Sequence, residues 1–319
     1  MAAPLLTTHR PAAARRTVPR STADPATAKR TAIGSCYNRS MAPFLEELVG
    51  ATLVVGIPGP RLTPDIAAHL RALRPGGFIP FTRNFSSPDQ FRRLLDEIAR
   101  ALGFRPWVMV DHEGGRVVRF SSGVTAFPDA LTVGRTQQPA DAQQQGAVEA
   151  RELLALGVAA NLAPCADVLV EGADPIIGAR SYGSDPQRVA RMSAARVHGL
   201  QANGVLACAK HFPGIGAAPK DPHQQLPTIE LDWAAMRAVH LVPFIAAIAA
   251  GVGAIMSSHV CYPALGLPPM MPATFSKELM SGVLRDELGF TGLALTDDLE
   301  MGALRELCPI GEAAVRAIE

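Results

Sequence analysis

Beyond residue 50 the chain alternates two patterns: short unbroken apolar runs, and longer stretches in which apolar side chains recur at helical spacing. The short runs cover 53–57, 77–81, 107–111, 159–164, 205–211, 254–259 and 292–297. Runs this brief and this continuously apolar predict strands covered on both faces, the condition of a parallel sheet flanked by helices. The stretches between them carry helix-start signals. Thr63-Pro64 and Ser87-Pro88 each put a capping hydroxyl ahead of a proline that suits the first helical turn. After the second of these, Phe91, Leu94, Leu95 and Ile98 fall on one helical face. Repetition of this unit predicts an α/β protein with the (β/α)8 TIM-type barrel fold. The pattern supplies seven units; 311–319 reads as the seventh helix and no eighth strand follows. The expected barrel therefore lacks the eighth β-α unit at the C-terminus.

The polar residues add a second regularity. Asp111, Asp167, Lys210, His211, His259 and Asp297 all stand where an apolar run gives way to a loop. The active site of a (β/α)8 barrel is built at those strand ends, and a barrel held by packing alone has no use for charge there.

Composition narrows the classes. With 48% hydrophobic and 18% charged residues, the 319-residue chain can bury a large core. Its longest apolar stretch, 241–256, is too short for a membrane span and is broken by Pro243, Gly251 and Gly253, so a buried helix running into a strand is expected there. Residues 1–40 hold seven Lys/Arg against Asp24, which leaves 23 basic and 28 acidic residues in the remainder. Such a mildly acidic body offers no footprint for nucleic acid. The basic extension, 1–45, is rich in Arg, Ala, Thr, Ser and Pro and is expected to be disordered, as a solvated tail or a segment ahead of a start at Met41 rather than a transit peptide. The five cysteines, Cys36, Cys165, Cys208, Cys261 and Cys308, show no CxxC or Cys/His metal spacing. Free thiols in a reducing compartment are expected, with neither metal nor cofactor.

Three segments place ionisable groups beside glycines, where the backbone leaves room for a ligand. They are Asp111-His112-Glu113-Gly114-Gly115-Arg116 with Arg119 following, Lys210-His211-Phe212-Pro213-Gly214 continuing to Asp221-Pro222-His223, and Thr296-Asp297-Asp298-Leu299. Read alone, Asp297-Asp298 is more often a helix cap, and Asp221-Pro222-His223 a turn with an exposed imidazole. Together the segments resemble the family 3 glycoside hydrolases, in their bacterial β-N-acetylglucosaminidase branch, over residues 50 to 319. Flanking stretches agree: Phe81-Thr82-Arg83-Asn84-Phe85, Ile177-Gly178-Ala179-Arg180-Ser181-Tyr182, and Leu284-Arg285-Asp286-Glu287-Leu288-Gly289-Phe290.

The resemblance implies that 46–319 is a family 3 barrel domain, C-terminally truncated, which hydrolyses terminal β-linked N-acetylglucosamine with retention. By position Asp297 is then the nucleophile, and His223 paired with Asp221 the acid/base. Asp111, Arg119, Arg180, Lys210 and His211 match the family's substrate-binding positions; read without it, Arg119 and Arg180 are surface ion pairs of little consequence. The implied substrate is a muropeptide containing N-acetylglucosamine or a chitooligosaccharide, met by a cytoplasmic monomer. The chain departs from the family in three places. His112 replaces Gln, Gly214-Ile215-Gly216-Ala217-Ala218 replaces Gly-His-Gly-Asp-Thr, and Pro222 replaces Ser. The apolar loop is expected to change how that segment is tied down.

Rival readings differ in what they ask of these residues. A hexosaminidase that uses the substrate acetamido group would make Asp297 and Asp298 polariser and acid. A metal-dependent hydrolase would gather His211, His223 and His259. A β-glycosidase of other sugar specificity would share the nucleophile, and a non-catalytic relict would bind sugar only.

Overall fold

The computed structural model describes residues 45–319. Residues 49–319 form one compact unit. The disorder expected for 1–45 falls outside the described residues except at Leu45, which opens a helical stretch over 45–51.

Seven parallel strands lie in sequence order: β1 (Val54–Val55), β2 (Gly77–Phe78), β3 (Trp107–Val110), β4 (Ala160–Asn161), β5 (Leu206–Phe212), β6 (Ala254–Ser257) and β7 (Leu293–Thr296). Every neighbouring pair is parallel, and β1 and β7 are the two edges. This is a curled, partial barrel, as the seven-unit pattern predicts. Six of the seven strands are shorter than their apolar runs, and β5 equals its run in length, displaced by one residue. In the run 159–164 the regular strand β4 ends at Asn161; beyond it the Cys208 and Lys210 amides still donate to the Ala163 and Pro164 carbonyls, but Pro164 has no amide to return.

Helices occupy each crossover. The caps are those the sequence announces: Thr63 Oγ1 accepts from the Ile66 amide, and Ser87 Oγ from the Gln90 amide at 3.2 Å. The helix Pro88–Leu102 buries Phe91, Leu94, Leu95, Ile98 and Leu102, and ends at Gly103 in the left-handed region. The stretch 241–256 resolves into a helix, Val242–Ala249, followed by β6. The helix Ile310–Arg316 follows β7.

Alternation along the strands sorts the core. Met109, Ala160, Leu162, Cys208, Ala254 and Met256 form an inner cluster with Leu206 and Leu295, whereas Val108, Val110, Ala207, Ala209 and Ile255 pack outward under the helices. Inner positions recur every second residue. The next inner position beyond Met109 is Asp111, beyond Cys208 it is Lys210, and beyond Leu295 it is Asp297. The strand pleat therefore delivers three ionisable groups to the same mouth of the barrel.

Candidate active site

These three groups, with Arg180, His211 and Glu113, form one connected network. Lys210 Nζ donates to Asp111 Oδ1 at 2.6 Å and stands 2.7 Å from Glu113 Oε1. Arg180 grips Glu113 with two bonds, Nε to Oε2 and Nη2 to Oε1, both 2.9 Å. Its Nη2 also lies 3.3 Å from His211 Nε2, which in turn is 3.9 Å from Asp297 Oδ2. Arg119 touches Asp111 only at 3.5 Å. Arg180, with its side chain 10% exposed, is thus an inward clamp rather than a surface ion pair.

The protonation states follow from this geometry. Burial favours the neutral Glu113 carboxyl, but Arg180 and Lys210 outweigh it and hold the group far below the usual carboxylate range. Burial opposes the charge on Lys210, and Asp111 and Glu113 overcome it, so the ammonium persists. Asp297 is likewise pushed up by burial and pulled down further by His211, His259, the Asp298 amide and Lys210, the net direction being downward. Its Oδ1 accepts from that amide at 2.8 Å, which leaves Oδ2 as the oxygen nearer His211.

Asp167 and His259 turn out to hold other groups in place. Asp167, fully buried, accepts from the His211 amide (3.2 Å) and ring Nδ1 (2.7 Å) through Oδ2, and from the Ile215 amide (2.7 Å) through Oδ1. This fixes the His211 proton on Nδ1, so that Nε2 accepts from Arg180. His259 Nε2 donates to the Asp298 carbonyl at 3.1 Å while Nδ1 meets Thr274 Oγ1 at 2.8 Å, and Ser257 Oγ stands 2.9 Å from the same hydroxyl. That chain pins the turn after β7. Asp298 Oδ1 accepts from the Glu300 amide at 2.8 Å, a turn-forming role.

The pair Asp221 and His223 lies on the loop after β5. Asp221 Oδ1 accepts both the His223 amide (2.9 Å) and ring Nδ1 (2.7 Å), leaving Nε2 of the 54% exposed ring to face outward. Among the described residues no hydrogen bond or ion pair joins these side chains to the network around Asp297. The backbone does connect them: the Gly302 amide donates to the His223 carbonyl (3.0 Å) and the Ala303 amide to that of Pro222 (3.1 Å). The apolar loop upstream is tied down by packing, with Ile215 and Ala218 buried. Gly216 is required there, since a Cβ would fall 1.7 Å from the Val168 carbonyl oxygen.

Cys165, Asp167 and His211 are the one group of possible metal-ligating atoms within 4.8 Å of each other among the described residues; His223 and His259 do not join it. Hydrogen bonds to Asp167 Oδ2 account for that cluster, the Cys165 thiol donating at 3.3 Å. Cys165, Cys208, Cys261 and Cys308 are free thiols.

His112 is buried behind this site against Phe120, and its Nδ1 accepts from the Arg119 amide at 3.3 Å. Burial, with Arg196 and Arg119 nearby, lowers its pKa from 6.5 to about 4. The folded chain therefore binds this proton more weakly than the unfolded chain, and stability falls as pH drops from 6.5 towards 4. The contribution is about 3 kcal/mol across that window. Urea titrations of His112→Gln are expected to show a flatter acid limb than wild type; parallel limbs would assign the acid sensitivity to other groups.

Sequence reasoning left out Glu113, although it sits inside a singled-out segment. Its signal was an acid flanked by His112 and two glycines, and only the contacts with Arg180 and Lys210 give it a role.

Comparison with known proteins identifies the family. Residues 45–319 match the glycosyl hydrolase family 3 N terminal domain. A beta-hexosaminidase of Alkalilimnicola ehrlichii is 38% identical over 274 residues, covering 84% of this chain and 77% of that protein. Among solved structures, the family 3 beta-N-acetylglucosaminidase from Paenibacillus sp. str. FPU-7 superposes with a TM-score of 0.83 at 36% identity over 86% of this chain. The chain spans about half the length of that Paenibacillus protein, 53%. NagZ from Neisseria gonorrhoeae, solved with N-trifluoroacetyl-D-glucosamine, gives a TM-score of 0.74 at 33% identity, covering 84% of this chain and 79% of that one. A match over most of the chain, relatives at 33 to 38% identity and the shared barrel architecture lead to one conclusion: this chain belongs to glycosyl hydrolase family 3.

Proposed function

We propose that this chain is a retaining exo-β-N-acetylglucosaminidase that releases terminal β-linked N-acetylglucosamine, with 46–319 as its barrel domain. The observation that carries the reading is Asp297, a carboxylate held in its ionised form just past β7, 3.9 Å from His211 and within the field of Lys210. Its free oxygen attacks the anomeric carbon to give a glycosyl ester, and water then cleaves that ester. Asp111, Lys210, Arg180, His211 and Arg119 supply fixed donors and acceptors for the sugar hydroxyls and acetamido group.

His223 protonates the leaving oxygen and later deprotonates water, and Asp221 stabilises its cationic form through Nδ1. With Nδ1 occupied, Nε2 is the nitrogen that exchanges the proton. The relatives named beta-hexosaminidase and the N-acetylglucosamine analogue bound by the Neisseria protein favour N-acetylglucosamine over other sugars. We take the natural aglycone to be the muramic-type sugar of peptidoglycan fragments, processed by a monomer in the cytoplasm. The buried free thiols Cys165, Cys208 and Cys261 fit a reducing compartment.

Turnover of an aryl N-acetyl-β-glucosaminide over the matching β-glucoside, with the β-anomer as first product, tests this reading. No turnover of either would overturn it. The acid/base assignment has its own test in leaving-group dependence. His223→Ala is expected to lose on the order of 10³-fold with a poorly acidic aryl leaving group and far less with a dinitrophenyl one, which departs without protonation. An equal loss for both would move the proton transfer to another residue.

A further inference from the structure

Below the Asp111–Glu113 turn lies a buried polar cluster that the chemistry proposed above does not use. Arg196, 1% exposed, comes from the helix Pro186–Gln201, and Glu149 and Gln145 from the helix Pro139–Leu156. The two helices approach closely at glycines: a Cβ on Gly199 would fall 2.1 Å from the Gln143 carbonyl oxygen, and one on Gly146 2.7 Å from that of Arg196. This brings Arg196 Nη2 to 2.8 Å from Glu149 Oε1. The same nitrogen donates upward to the carbonyls of Glu113 (3.0 Å) and His112 (3.4 Å). Gln145 Nε2 bridges Glu149 Oε1 (3.0 Å) and the Glu113 carbonyl (3.4 Å), and Arg196 Nη1 reaches the Tyr182 hydroxyl at 3.5 Å.

A buried ion pair adds little net stability over apolar packing. Here burial raises the Glu149 carboxyl to about 7 even with Arg196 beside it. What the cluster does supply is direction. It draws the His112 and Glu113 carbonyls inward, and Asn161 holds the His112 amide and carbonyl from β4 at 3.1 and 2.9 Å. The side chains of Asp111 and Glu113 are thereby left to meet Lys210 and Arg180.

We propose that Arg196, held by Glu149, is a positioning residue for substrate binding: it fixes the turn whose carboxylates aim Lys210 and Arg180 at the sugar. The proposal rests on the reading of those cations as sugar-binding groups. It predicts an effect on binding rather than on bond cleavage, because Arg196 contacts neither Asp297 nor His223.

The experiment compares the full chain with Arg196→Lys and Glu149→Gln, using an aryl N-acetyl-β-glucosaminide and hydrogen exchange over 110–118. Arg196→Lys keeps the charge but loses the planar fork, and is expected to raise KM about tenfold while kcat per folded enzyme changes less than about threefold. Glu149→Gln is nearly isosteric and keeps the fold if Arg196→Lys does not, with a KM increase of about threefold. In both, amides of 112–117 exchange faster while those of Pro88–Leu102 do not. Wild-type KM and exchange in a folded Glu149→Gln and Arg196→Lys would overturn the proposal. A wild-type chain without turnover instead strikes the glycosidase reading, and exchange at 112–117 then decides for or against the positioning role.

Discussion

Asp297→Ala is expected to lower kcat for an aryl N-acetyl-β-glucosaminide on the order of 10⁴-fold while leaving the sheet folded. The asymmetry follows from what the side chain touches. Its Oδ1 accepts one amide, that of Asp298, and its side chain is one-fifth exposed, so little packing is lost. On the proposed reading, the bond-forming group is lost entirely. Mass analysis after a 2-fluoro glycosyl substrate should find the adduct on the peptide holding Asp297 in wild type and none in the variant. A variant with near wild-type turnover would remove Asp297 from the chemistry, and strong inhibition by an oxazoline mimic with no adduct would favour nucleophilic attack by the substrate acetamido group.

Lys210→Met is expected to destabilise the fold by about 4 kcal/mol, among the larger effects of a single substitution. Lys210 is buried, and its ammonium stands between Asp111 (2.6 Å) and Glu113 (2.7 Å). Methionine fills similar space but leaves the two carboxylates facing each other across an apolar gap, with Arg119 and Arg180 as their remaining partners. Urea denaturation at neutral pH measures the loss. Adding Glu113→Gln to Lys210→Met should recover part of it, since one orphaned charge is removed with its cation. Strict additivity of the two changes would show that Lys210 and Glu113 are not energetically coupled.

The strands were legible because each is a short apolar run, four of the seven closing on an ionisable residue, a pattern that survives without any tertiary information. Each of the seven runs coincides with a strand, β5 passing its run by one residue, and the alternation inside β5 already separates Leu206 and Cys208 from Ala207 and Ala209. Strand ends were less legible: β4 loses its regular ladder inside its apolar run while its partner β5 continues to Phe212. Within the site, Asp111, Lys210 and Asp297 follow from the same period of two. Arg180 could not be separated in the sequence from an exposed arginine, because its partner Glu113 is 67 residues away. Glu149 and Arg196 carry no local signal at all: they lie 47 residues apart on two helices whose approach depends on Gly146 and Gly199. The replacement of the polar loop residues by Ile215 and Ala218 was visible, but not its result, a segment sealed into the core beside Asp167.

The two backbone bonds from Gly302 and Ala303 to the loop carrying His223 join what the sequence separates by more than seventy positions. They set the lever arms of the site. The loop cannot swing as a rigid flap about its own ends without dragging the chain that follows Asp297, and the Asp221 carboxylate also holds the ring from the side. On the proposed reading, approach of the imidazole to a leaving group then comes either from a concerted shift of both segments or from release of these two bonds as a latch, which would gear proton delivery to nucleophile alignment.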